Sequence, residues 1–172
     1  MDIHKLELQG IGTYTGKVEL DFDKINLALV KGKNGSGKSW LFDGLVWTLY
    51  DETIRGFKKD EVINEAIKEG IGRLYCTDDK GNLISVTRTR KPNKILVDLR
   101  INGEDKSGST TIPNIFGMNY TLFKNSCMFG QNDLLDFAEA TDKQRKDIIG
   151  YLLGFNELDN WLLVVRKAKS AV

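Results

Sequence analysis

This chain of 172 residues has few cysteines, no long apolar run and almost no excess of one charge over the other. Its two cysteines, Cys76 and Cys127, lie far apart and form no CxxC pair, so neither a disulfide framework nor a zinc site is expected. No stretch of about 18 or more apolar residues is present, which predicts no transmembrane helix. Asp2 and Lys5 place charge where a signal peptide has its apolar stretch. We therefore expect a soluble, cytoplasmic chain without a membrane partner.

The balance of charges restricts the function further. The chain has 25 Lys and Arg against 24 Asp and Glu, a formal net charge of +1. A protein that binds nucleic acid over most of its surface carries a large basic excess, so only a local basic patch stays open. A hydrophobic content of 41% and a length typical of one domain predict a globular core that needs no metal or disulfide.

What the sequence does contain is a glycine-rich loop between an apolar segment and a helical pattern. Residues 25–30 are nearly all apolar and predict a strand buried on both faces. Leu41, Leu45 and Leu49 follow at helical spacing and predict a helix from about residue 38 to 50. The loop between them matches GxxxxGK[ST] in full, as Gly32, Lys33, Asn34, Gly35, Ser36, Gly37, Lys38 and Ser39.

This order of strand, loop and helix predicts a phosphate-binding loop for ATP and Mg²⁺. Gly35 and Gly37 let the backbone turn its N–H groups toward phosphate oxygens. Lys38 would reach the β- and γ-phosphates and act in catalysis, while the Ser39 hydroxyl would ligate Mg²⁺. The predicted ATP contacts of this segment are Asn34, Gly35, Ser36, Gly37, Lys38, Ser39 and Trp40.

The rest of the chain predicts strands first and helices later. Strands are expected at residues 3–9 and 17–22, and residues 73–77, 83–90 and 94–101 predict an antiparallel meander because their connections are short. The pattern is helical from Ser107 onward, with a short strand near residues 126–129.

Two further helices are expected near the end of the chain. A capping box at Thr141 and Gln144 predicts a helix that ends at Gly154. Another begins near Asn156, and its apolar stripe still runs at Val172, which predicts a truncated protein.

An acidic partner for the magnesium ion is hard to find. Asp98 follows an apolar run, as the aspartate of a Walker B strand does. The tight turn at residues 91–93 makes its strand antiparallel, however, whereas a Walker B strand lies in a parallel sheet. We expect Asp98 to be a surface residue on a hairpin, so the chain predicts half of an ATPase site.

Residues 34–39, residues 58–64 and the sequence Phe-Gly-Gln that ends at Gln131 resemble the N-terminal segment of SbcC-type ATPases. These are SMC-like subunits of the SbcCD nuclease complex for DNA-end processing, with close relatives in phage recombination endonucleases. The resemblance implies an α/β P-loop head lobe of the ABC/SMC type over residues 1–155, with a mixed sheet and an antiparallel meander. Residues 156–172 would be the root of a coiled-coil arm.

The resemblance also implies roles for single residues. Gln131 would be the Q-loop residue, which ligates Mg²⁺ and acts in catalysis, unless it is a plain solvated residue in a turn. Ile63 and Asn64 would lie beside the adenine base, or else belong to an exposed, charged helix start. Many relatives have an arginine in the turn after the first strand, where residues 10–14 here have none. Lys33 or another chain would compensate, or nucleotide binding is weaker.

The implied function is an ATPase that dimerises on ATP and regulates a partner nuclease in double-strand-break processing. Its partners would be the C-terminal half of the same protein, a second copy, an SbcD-like nuclease subunit and double-stranded DNA ends, in a bacterial or phage-infected cell. Walker B, signature, D-loop and switch histidine would lie in that C-terminal half.

Local basic clusters are candidate DNA contacts, with a solvated face as the alternative. They are Arg88, Arg90, Lys91 and Lys94 in one cluster and Lys143, Arg145 and Lys146 in another. Two other classes of function also stay open. One is a self-sufficient P-loop kinase for a small molecule, and the other is a non-hydrolysing module whose nucleotide only stabilises an assembly.

Overall fold

A computed structural model describes residues 1–23, 25–128 and 141–152. The chain divides into two compact units, Met1–Tyr120 and Thr121–Val172. Gln131, the boundary predicted at residues 155 and 156, and the predicted coiled-coil root lie outside the described residues. In the part that is described, no helix combines the length and the apolar character that crossing a membrane requires.

The first unit is built on one six-stranded sheet in the order β2-β1-β3-β4-β5-β6. Every pairing is antiparallel, and the meander continues the first strand pair within the same sheet. This corrects the expected mixed sheet for the described residues, where short connections join neighbouring strands. The strands are β1 Asp2–Gln9, β2 Val18–Asp21, β3 Gly70–Thr77, β4 Leu83–Lys91, β5 Lys94–Ile101 and β6 Glu104–Asp105.

Helix α1, Lys38–Tyr50, lies against one face of this sheet and has the predicted bounds. Its buried apolar side chains are Val46, Trp47 and Leu49, whereas the predicted Leu41 and Leu45 are only partly covered. Glycines allow the close approach, because a Cβ atom on Gly72 would lie 2.0 Å from the Thr48 hydroxyl oxygen. The sheet thus holds the helix whose first turn ends the phosphate loop.

The segment at residues 25–30 is not a strand, so that prediction is wrong. It pairs with no strand in the described part of the chain, and Leu27 and Leu29 are 94% and 77% exposed. A strand buried on both faces needs neighbours along its edges and layers on both sides. The antiparallel sheet of the first unit supplies neither to this segment, so its apolar side chains lie in solvent.

The helical pattern after Ser107 is confirmed in the described residues. Helix α2 is Ile112–Phe116, α3 is Tyr120–Cys127, α4 is Asp142–Leu152, and a 3₁₀ helix spans Lys59–Val62. Because α3 includes Ser126 and Cys127, the short strand predicted there is wrong at these two residues. The start of α4 at Asp142 agrees with the predicted capping box.

Candidate nucleotide-binding site

The phosphate loop leads directly into the N-terminus of α1. Gly35 and Gly37 have φ angles of 80° and 92°, a left-handed conformation that side chains disfavour. The N–H group of Ser36 donates to the carbonyl oxygen of Lys33 at 3.2 Å, which closes a tight turn. Gly37 is the N-cap of α1, and no side-chain hydrogen bond caps the helix there. No side chain therefore competes with an anion for the N–H groups at the start of the helix.

Lys38 is held along the backbone of its own loop. Its ammonium group donates to the carbonyl oxygens of Gly32 and Lys33 at 2.8 Å and 2.9 Å. The first turn of α1 contains no acidic residue that would repel a phosphate. The ammonium group, the helix dipole and the glycine backbone fit a triphosphate, and the hydroxyl of Ser39 is an oxygen ligand of the kind that Mg²⁺ prefers.

The turn after β1 supports this loop from the side. The hydroxyl group of Tyr14 donates to the carbonyl oxygen of Gly37 at 2.7 Å, and burial raises the pKa of this hydroxyl. A Cβ atom on Gly37 would lie 2.5 Å from the Thr13 hydroxyl oxygen. The turn that lacks the family's arginine thus brings two hydroxyl groups to the loop. Both residues could have been predicted as neighbours of the loop, because the resemblance already placed this turn near the phosphates.

Ile63 and Asn64 hold the same turn from behind. The side-chain amide of Asn64 donates to the carbonyl oxygen of Gly12 at 2.7 Å, and its backbone N–H donates to that of Gly10 at 2.8 Å. Ile63 forms an antiparallel bridge with Ile11 and is buried. The contacts seen for both residues are therefore with the turn, while their role beside the adenine base stays a prediction.

Trp40 packs within the protein at the start of α1. Its ring stacks on Phe57 with 4.9 Å between centroids, and the guanidinium carbon of Arg55 lies 4.5 Å from the Trp40 ring. A Cβ atom on Gly12 would overlap this ring. Arg55 also forms an ion pair with the buried Asp43. This cluster was not predicted from the sequence, although Trp40 and Asp43 are three residues apart and so share one side of the helix.

The basic cluster at the β4–β5 hairpin is largely an internal structure, which corrects one of the proposed DNA contacts. Arg88 and Arg90 are 7% and 8% exposed, and burial lowers the pKa of Arg88. Their acceptors are the carbonyl oxygens of Thr48 and Leu49 for Arg88 and the carboxylates of Asp51 and Asp60 for Arg90. Both arginines therefore stabilise the C-terminal end of α1 and its surroundings, where the helix dipole favours positive charge.

The remaining candidates have simpler surroundings. Lys91 forms an ion pair with Glu69, and Lys94 is exposed. Asp98 lies in the antiparallel β5 and pairs with Arg100 at 3.1 Å, which confirms it as a surface residue of a hairpin. In the second unit the basic cluster of residues 143–146 lies on α4, where its contact with DNA stays a prediction.

Comparison with known proteins places this chain in a family. Residues 5–167 match the family model AAA_23, described as an AAA domain. The chain belongs to this family. It is 27% identical to exonuclease subunit 2 of Escherichia phage RB69, over 88% of this chain and 28% of that protein. It is 25% identical to the SbcC subunit of the SbcCD nuclease of Deinococcus radiodurans, over 89% of this chain and 18% of that protein.

The fold has a counterpart among solved structures. The recombination mediator protein RecF with ATP aligns with a TM-score of 0.57 and 17% identity, over 97% of this chain and 46% of that chain. These matches confirm the resemblance to SbcC-type ATPases and the ABC/SMC-type P-loop fold. The chain spans less than a third of the length of the two sequence relatives.

Proposed function

We propose that this chain is the N-terminal, ATP-binding lobe of an SMC-like ATPase that regulates a partner nuclease in DNA double-strand-break processing. One observation carries this proposal. A complete phosphate-loop motif is preceded by residues 25–30, which are apolar except for Asn26, are exposed, and pair with no strand in the described part of the chain. Apolar surface of this size is stabilised by burial, so a second lobe that covers it would complete the site. The C-terminal half of the same protein is the proposed cover.

The residues of this chain would bind and orient the nucleotide. Backbone N–H groups of the loop and the ammonium of Lys38 would hold the phosphates, while Ser39 and Gln131 would hold Mg²⁺. Lys38 exchanges its two carbonyl partners for phosphate oxygens in this proposal. ATP supplies the phosphoanhydride bond, and positioning and electrostatics provide most of the catalysis in such sites. The acidic residues that complete the magnesium site would come from the C-terminal half.

The partners follow from the same proposal. A second copy would close over the γ-phosphate and make head dimerisation depend on ATP. The relatives are named as subunits of nucleases, which supports an SbcD-like nuclease subunit and double-stranded DNA ends as partners. The proposed location is the cytoplasm of a bacterial or phage-infected cell.

The first test uses residues 1–172, alone and mixed with the C-terminal half of the full-length protein. In the presence of Mg-ATP it measures the mass of the assembly in solution and the rate of ATP hydrolysis. Hydrolysis and dimerisation that occur only in the mixture support a divided head. Robust turnover by residues 1–172 alone would overturn this proposal in favour of a self-sufficient kinase-like enzyme. ATP-dependent assembly without turnover in the mixture would instead favour the non-hydrolysing module.

Two variants of the full-length protein test the individual roles. Lys38→Ala should abolish ATP binding, and Lys31→Ala is the matched control because it removes the same charge outside the motif. Gln131→Ala should retain ATP binding and reduce ATP-dependent dimerisation. An unchanged affinity in Lys38→Ala contradicts the phosphate-loop assignment, and unfolding in Gln131→Ala would make that residue structural.

A further inference from the structure

One edge of the sheet is only half covered. β5 pairs with β4 along its length, but β6 pairs only with Arg100 and Ile101. Leu99 is bonded on the β6 side as well, because its N–H group donates to Ser107 Oγ at 2.9 Å and its carbonyl oxygen accepts from the N–H of Lys106 at 2.7 Å. Within the described ranges, residues 94–98 form no backbone hydrogen bond on that side. We call these five residues the β5 edge.

The outward groups of the β5 edge follow from strand geometry. Successive residues of a strand point their N–H and C=O groups to opposite sides. Since those of Leu99 point away from β4, those of Ile95 and Val97 do so too. Ile95, Leu96 and Val97 are 40%, 56% and 37% exposed, so apolar side chains are partly exposed on both faces of the sheet. Val97 also lines a shallow cavity together with Leu99 and Ile112. An exposed apolar edge of this kind is a template for another strand.

We propose that a second copy of this chain pairs antiparallel with the β5 edge, around a two-fold axis at Leu96. In this register Ile95 lies opposite the partner's Val97, and the two exchange both backbone hydrogen bonds. Lys94 lies opposite the partner's Asp98, which places opposite charges across the strands on the face that carries Leu96. The sequence Lys-Ile-Leu-Val-Asp is therefore complementary to itself when reversed.

Other symmetric registers satisfy fewer groups. A shift of the axis to Val97 places Ile95 opposite Leu99, whose backbone groups already bond to Lys106 and Ser107. The same shift places Lys94 opposite Arg100, a like-charge pair that destabilises the contact. Only the register at Leu96 pairs the outward backbone groups of both Ile95 and Val97 and also places opposite charges across from each other.

This contact is separate from the ATP-dependent dimer proposed above. The β5 edge belongs to the outer part of the sheet and includes no residue of the phosphate loop. The contact would join two heads into one continuous sheet in the absence of nucleotide. It should therefore persist in Lys38→Ala. Loss of ATP binding in that variant therefore tests the proposed function, and persistence of the edge contact tests this inference.

The first experiment uses cysteine cross-linking in the nucleotide-free full-length protein. A directly opposed pair without hydrogen bonds brings two Cα atoms to about 4.5 Å, within the range of a disulfide. Leu96→Cys should therefore form a disulfide-linked dimer under mild oxidation. Lys94→Cys lies on the same face but opposite Asp98, so it is the matched control and should cross-link at least about tenfold less. The unsubstituted protein controls for all other cysteines.

The second experiment tests the charge pairing by sedimentation of the full-length protein without nucleotide. Lys94→Asp and Asp98→Lys should each weaken the association about 3- to 10-fold, because two symmetric pairs become like-charged. The double variant restores opposite charges and should return to within about twofold of the original affinity. Because Asp98 also pairs with Arg100 in its own strand, this rescue isolates the contact between copies.

The proposal is overturned if Leu96→Cys gives no more cross-linked dimer than Lys94→Cys, or if the double charge variant is no better than the weaker single one. A protein that remains monomeric without nucleotide also overturns it, and the β5 edge would then be the place for an extended segment of a different protein.

Discussion

The hydroxyl group of Tyr14 donates a 2.7 Å hydrogen bond to the carbonyl oxygen of Gly37, the residue that ends the phosphate loop and caps α1. The two residues belong to different parts of the chain, since Tyr14 follows β1 and Gly37 precedes α1. Both β1 and α1 are fixed by the same buried core. The bond therefore transmits the rigidity of the sheet to the loop that would hold the phosphates.

Tyr14→Phe should weaken ATP binding about 3- to 10-fold with little loss of folding, because one hydrogen bond of about 1 kcal/mol no longer positions the loop. Calorimetric titration of the full-length protein with ATP at fixed Mg²⁺ measures this. Tyr75→Phe is the control, since that side chain is exposed on β3. Equal affinities in the two variants would mean that the Tyr14 hydroxyl does not position the loop.

Gly12→Ala should lower the free energy of unfolding by about 2–4 kcal/mol. The φ angle of Gly12 is 53°, and a Cβ atom would overlap the ring of Trp40. Gly16→Ala provides the matched control because no atom lies within 4 Å of its Cβ position. Urea unfolding of residues 1–172 compares the two, and similar midpoints would show that the turn relaxes without cost.

Arg88→Met should destabilise the fold by about 2–4 kcal/mol, because it leaves the carbonyl oxygens of Thr48 and Leu49 without their donor in a buried place. Arg100→Met removes an exposed arginine from the neighbouring strand and should change stability by less than about 0.5 kcal/mol. Urea unfolding again gives both values. A small effect of Arg88→Met would contradict its structural role and would again favour Arg88 as a candidate DNA contact.

Glu7→Gln should reduce stability at neutral pH and remove part of the acid sensitivity. Burial alone would raise the pKa of Glu7, but hydrogen bonds from Lys5 and Lys17 outweigh it and lower the pKa. A carboxylate whose pKa is lower in the folded state stabilises the fold above its unfolded value of about 4.3 and loses this contribution as the pH falls further.

The difference in unfolding free energy between Glu7→Gln and the unsubstituted protein should therefore be largest near pH 7 and should shrink as the pH falls below about 4.3. Urea unfolding at several pH values checks this, with Glu65→Gln as the exposed control. A difference that does not depend on pH would mean that Glu7 acts through packing and not through its charge.

The two cysteines should react at very different rates with a thiol reagent at pH 8. Burial raises the pKa of Cys76 to about 11, whereas Cys127 is exposed. Because the thiolate is the reactive form, Cys127→Ser should remove the fast phase and Cys76→Ser should leave it unchanged. Fast labelling of Cys76 in the native protein would contradict its place in the core of β3.

Local chemistry accounts for what could be predicted from the sequence. The glycine pattern and Lys38 predict a phosphate loop, because only a few residue types allow that backbone and charge. The predicted bounds of α1 and β5 are confirmed, because helical spacing and flanking turns depend on residues that are close in sequence. The family resemblance added the turn after β1, without indicating that Tyr14 would contact the loop there.

Contacts between distant segments decided the rest. The apolar composition of residues 25–30 predicted that this segment is buried. It could not show that the described part of the fold leaves the segment exposed. Charge at Arg88 and Arg90 predicted exposure, whereas the sheet directs both side chains toward the end of α1. A side chain's charge and apolar character are set by its own atoms, and they are visible in the sequence. Its partner depends on which strand lies opposite and which helix lies above, and only the tertiary structure determines that.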